Sequence, residues 1–161
     1  MKHLKRFVAL GALLCASAFS QETWFSSSTG VVSLSGAGAT FTIQQVTGGA
    51  KRINLDTATV YCSVACTITQ EQNGTAATAT AGTVTALNPN SGARAQATVW
   101  TASNVGAGTA VGTPLVLAAG ETRVIDLSRI SLPTGSGNFN YSIKVSSITG
   151  NYSIGVVHRE Q

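Results

Sequence analysis

Charge is scarce in this chain. Only 10% of its 161 residues are Asp, Glu, Lys or Arg, against about 25% in an ordinary soluble domain. That excludes coiled coils and charge-driven disorder. Histidine occurs twice, at His3 and His158, and cysteine three times. A zinc site needs about four ligands and a serine hydrolase needs a positioned base, so neither chemistry has the residues it requires. No G-x-S-x-G elbow or Walker lysine loop is present. Gly36-Ala37-Gly38 and Gly106-Ala107-Gly108 start like dinucleotide loops but lack the third glycine, and they read as turns. No metal or cofactor is implied. The six carboxylates, Glu22, Asp56, Glu71, Glu121, Asp126 and Glu160, show no spacing that pairs two of them as a glycosidase would need. They read as surface solubilisers, and the chain as non-enzymatic.

Long apolar runs are missing except at the start. Lys2, Lys5 and Arg6 precede an apolar stretch from Phe7 to Phe19, and Ala18-Phe19-Ser20 offers small residues for cleavage. This is a secretory signal pattern. A stretch of that length rises only about 20 Å as a helix, short of a bilayer core. Residues 1–20 are therefore expected to be a signal peptide, cut after Ser20 or, second, after Ala18. The mature chain, 21–161, would be exported to a periplasm, cell surface or extracellular medium, in bacterial style and without a transmembrane segment.

Export changes the meaning of the charge. The whole chain carries a formal +4, but three of its ten basic residues sit in the signal, leaving seven against six acids, a net +1. The remaining basics are scattered. Phosphate binding needs clustered cations that release counterions together, so nucleic acid is excluded as a partner.

What the mature chain has in abundance is Thr, Ser and Gly, more than a third of its residues. Short β-branched and aromatic runs recur through it, separated by turn residues, near 30–34, 39–46, 52–62, 66–71, 76–87, 95–102, 114–118, 123–127, 139–146 and 152–158. Tyr141, Ile143 and Val145 alternate with Ser142 and Lys144; Tyr152, Ile154 and Val156 repeat the pattern. Thr149-Gly150-Asn151 between them reads as a hairpin turn. His158 continues the alternation and is expected to close the core face. About 8–10 short strands at this spacing predict a single all-β domain, an antiparallel, jelly-roll-like β-sandwich.

Cys62 and Cys66 survive cleavage, and an oxidising compartment makes a disulfide the default. In a continuous strand their Cα atoms would stand about 13 Å apart, too far to bridge. The chain must fold back there, as a three-residue hairpin loop or one helical turn.

Surface contact is then the expected activity. Gln21 to Thr29 is Ser-rich and precedes any clear strand, so it reads as a flexible N-terminal arm. Trp24, Phe25, Val31, Val32 and Leu34 could anchor that arm, or lend a strand, to another copy or to another surface protein. In kind, the chain is similar to subunits of surface appendages, coats or virion fibres. A carbohydrate-binding module is the alternative, with Trp100 as a glycan platform, although a mid-strand Trp is more often core. A third reading is an ice-binding threonine face, from Thr40/Thr42, Thr57/Thr59, Thr67/Thr69, Thr78/Thr80 and Thr83/Thr85. Their irregular spacing argues against a solenoid, and Thr is expected to fill solvent-facing strand positions.

Overall fold

A computed structural model describes residues 22–45, 48–74, 80–81, 83–87, 94–101, 108–135 and 139–161. Residues 1–20, read from the sequence as a signal peptide, lie outside these. Among the described residues there is no helix, and hence none long and apolar enough to cross a membrane. Twelve strands form one antiparallel sheet: β1 (Thr23–Ser28), β2 (Val32–Gln45), β3 (Ile53–Cys62), β4 (Cys66–Gln72), β5 (Thr80–Ala81), β6 (Val84–Ala86), β7 (Ala97–Thr101), β8 (Thr109–Ala110), β9 (Leu115–Leu117), β10 (Thr122–Asp126), β11 (Ser131–Leu132) and β12 (Asn140–Glu160). The sheet is nearly closed on itself.

The longest strand explains the closure. The first half of β12, through Val145, lies between β2 and β4; the second half, from Gly155, lies between β1 and β3. Thus β1 followed by β2 runs along one side of β12, and β3 followed by β4 along the other. All three ribbons bend at one level, at residues 29–31, 146–151 and 63–65. β12 bends through register shifts between Val145, Ile148 and Thr149, the signature of a bulge. A fourth ribbon, β9 followed by β10, turns beside them: the Gly120 N–H donates to the Cys62 carbonyl at 2.9 Å.

Two turn expectations are corrected here. Thr149-Gly150-Asn151 is not a hairpin, and the two alternating runs are one strand. Gly150 lacks the positive φ that a tight hairpin demands. A glycine stands there because the β3–β4 corner presses on it. Likewise Gly36-Ala37-Gly38 lies inside β2. Gly36 has φ 71°, and a Cβ on Gly38 would lie 3.0 Å from the Val145 carbonyl oxygen; this is where β2 passes the bulge.

The cysteines do pair, with Cα atoms 6.4 Å apart. The turn they clasp is neither hairpin nor helical: β3 and β4 do not pair with each other but continue along β12. The disulfide fixes a corner.

The core lies between the two halves of the folded sheet. Phe41, Ile43, Tyr141, Ile143 and Ile68 from one half meet Leu55, Val60, Ile154 and Val156 from the other. The opposite face of the β2–β12–β4 half is also covered. Thr40, Thr42, Asn140 and Ser142 are buried there, the Thr42 and Ser142 hydroxyls 2.9 Å apart. Gly74, just after β4, folds over this face: its N–H donates to Asn140 Oδ1, and Asn140 Nδ2 donates to its carbonyl. Thr40 and Thr42 are therefore not solvent-facing, contrary to the sequence expectation.

Candidate functional site

The N-terminal segment read as a free arm is the strand β1 of this chain's own sheet. It pairs with β12 from Thr23↔Glu160 to Ser28↔Gly155 and with β6 on its other side. Phe25 is 1% exposed. A Ser-rich strand hides easily, because its outward positions need no apolar residue and Phe25 is its one large inward side chain. Trp24 points to the other face, half-buried, with the Arg159 guanidinium 5.6 Å from its ring centroid. Val31 is exposed at the corner, while Val32 and Leu34 pack partly against the core. The five proposed anchor residues thus do not form one patch.

Trp100 is corrected too. It is not core: it lies on the outward face of β7, half-buried, and its indole N–H donates to Gln44 Oε1 at 3.0 Å. Its strand neighbour across β2 is the buried Thr42, so the face around it is already partly covered.

Among the described residues, β6 and β7 approach each other without pairing and leave a seam in the nearly closed sheet. β6 pairs with β1. β7 pairs with β2 along its length but with β5 only at Trp100 and Thr101. The stretch Ala97–Val99 therefore shows no described strand partner on its second edge. A recess of about 380 Å³ occupies this seam, lined by Phe25, Val84, Ala86, Ala95, Ala97 and Val99 and by the polar Arg94 and Thr98.

Phe25 connects the recess to a buried polar group. Its ring stacks on the His158 imidazole, centroids 5.5 Å apart and 20° from parallel. His158 is fully buried, as the alternation of β12 indicated, and neither ring nitrogen has a hydrogen-bond partner. Its Nε2 lies 3.7 Å from Glu160 Oε1. Glu160, read from sequence as a surface carboxylate, is 1% exposed; it sits two residues beyond His158 and so shares its inward face. Its carboxylate accepts the N–H groups of Gln96 and Ala97, each at 2.8 Å. In effect Glu160 pins the start of β7 to the end of β12. Burial pushes this carboxyl up, but the His158 imidazole and the two amides outweigh burial and hold it below the ordinary glutamate range.

More polar groups converge at this end. Gln45 Nε2 donates to the Lys51 carbonyl at 2.8 Å, and the Lys51 N–H donates to Gln96 Oε1. Gln45 Oε1 and, further along β1, Ser27 Oγ are buried without partners. Buried unpaired polar atoms are costly and rare. Sealed from solvent, His158 and Glu160 cannot touch a substrate; what the site offers outward is strand edge and the recess beside it. No group of His, Cys, Asp and Glu suited to a metal occurs among the described residues. No known protein family matches the chain, and no curated protein is detectably similar to it in sequence.

Proposed function

We propose that this is an exported, non-enzymatic interaction protein of β-sandwich form, an extracellular or cell-surface assembly subunit that accepts an extended strand from another copy at the β6–β7 seam. One observation carries the reading: neither strand bordering the seam, β6 or β7, carries a charged residue, although Arg94, just before β7, lines the recess. Val84, Ala86, Ala97, Thr98 and Val99 present no charge along it. Natural edges that must not pair carry charged side chains. Another described outer strand, β10 beside β3, does so: it holds Arg123, paired to Glu121 at 2.6 Å. A recess and a backbone edge without a strand partner are the two elements of strand addition, pockets for alternate side chains plus main-chain hydrogen bonds.

Light scattering across a concentration series, with negative-stain microscopy of the mature chain, tests this. Oligomers should grow with concentration, and Val84→Lys, an edge guard, should leave a folded monomer. A native chain that stays monomeric at high concentration refutes the reading.

A further inference from the structure

The solvent side of the β1–β12–β3 half-sheet carries a second, independent feature. At Gly155 of β12 the missing side chain opens a trough of about 370 Å³, within the size range of small-molecule sites. Gly155 lies in register between Ser28 and Thr59, and Ser26, Thr83 and Thr85 extend the rim. None of the residues lining the trough carries a charge.

Two aromatic residues lie beyond it on the same face. Trp24 is two residues from Ser26 along β1, and Tyr61 two residues from Thr59 along β3, so strand alternation places both outward. Both are half-buried. They stand opposite Arg159 and Ser153 of β12, which puts about 20 Å of strand between them.

This combination selects a ligand chemistry. An ion finds no opposite charge in the trough, and Arg159, which lies against the Trp24 ring, is already paired to Glu22 at 3.1 Å. A purely apolar ligand would leave the hydroxyls unpaired, and a purely polar one would gain nothing from the Val156 and Val157 surface that also lines the trough. A polyol both donates and accepts hydrogen bonds, as Ser and Thr hydroxyls do, and the apolar faces of its rings stack on aromatic side chains. We propose that the trough binds a neutral oligosaccharide, its chain laid across Gly155 with Trp24 and Tyr61 at the two ends. This does not rest on strand addition at the seam, which lies on the other side of β1.

Affinity electrophoresis in gels containing xylan, galactomannan, hydroxyethylcellulose or dextran, with alginate as the anionic comparison, tests the inference. At least one neutral polymer should retard the mature protein. Gly155→Val should weaken that retardation at least tenfold, since its side chain fills the trough. A Cβ at Gly155 meets only the Ser27 carbonyl oxygen at 3.8 Å and Ser28 Oγ at 4.0 Å, so the variant should fold. Thr59→Val keeps the shape, removes a hydroxyl, and should also weaken binding. Retardation by none of the neutral polymers, retardation by alginate alone, or unchanged binding in both variants would each overturn the proposal.

Discussion

Gly150 of β12 and Ser63 of the β3–β4 corner approach so closely that a Cβ on Gly150 would lie 2.8 Å from Ser63 Oγ. Ser63 cannot simply rotate away, because its Oγ accepts the Asn151 N–H at 2.7 Å while its own N–H donates to the Asn151 carbonyl. Three neighbouring ribbons are stitched at this level. Ser33 Oγ donates to Asn151 Oδ1, and the Ile154 N–H donates to Thr29 Oγ1.

Gly150→Val should therefore destabilise the protein by about 1–3 kcal/mol, the usual cost of forcing extra atoms into a packed site. Urea denaturation measures it. Gly155→Val on the same strand, where only ordinary contacts await, should cost far less. Equal losses at the two positions would mean that the corner is not the constraint.

Glu160 sets an acid limit. Its carboxyl is held below the ordinary value of 4.5, so the folded state favours the ionised form more than the unfolded chain does. The stabilisation is complete above that value and drains away as pH falls through the lower folded-state value. Thermal midpoints should fall from about pH 4.5 downward, and Glu160→Gln should flatten that acid limb. Glu160→Ala, which strands the Gln96 and Ala97 donors, should cost on the order of 3 kcal/mol at neutral pH.

The sequence carried the core and hid the connections. Ile143, Val145, Tyr152, Ile154 and Val156 declared their inward face by period-2 alternation, and His158 followed from it. Glu160 obeyed the same period, but its chemical type suggested a surface residue, and alternation alone cannot reveal two backbone amides waiting for a carboxylate. Thr-Gly-Asn at 149–151 has the composition of a turn; that it is a bend within one strand depends on the corner it faces. Thr42 and Ser142 look like solvent positions because local pattern cannot say that their hydroxyls meet, buried, across β2 and β12. The seam arises because β6 and β7, consecutive in sequence, pair with the distant β1 and β2 and not with each other, which no local signal encodes.

Cys62 and Cys66 close a ring so small that loop entropy gives only roughly 2 kcal/mol. Both residues are buried, so the paired Cys62→Ser, Cys66→Ser variant should lose about that much, plus the cost of two buried hydroxyls, and still fold. Guanidinium titration with and without reductant checks it. If the variant is unfolded in buffer, the bond staples the domain instead of pinning one corner.

Removing residues 21–29 tests what β1 is for. Deletion strips Phe25 from the face of His158 and bares the β12 edge from Gly155 to Glu160, exposing a buried aromatic and a row of unpaired backbone groups. The truncated chain should lose its cooperative thermal transition, which an arm merely projecting from the domain would not cause. A synthetic peptide spanning Glu22–Gly30 should restore that transition in trans if the strand can be exchanged between chains. Restoration would make β1 a segment one copy can lend to another, while an unaltered transition in the truncated chain would show that its place in the sheet contributes little.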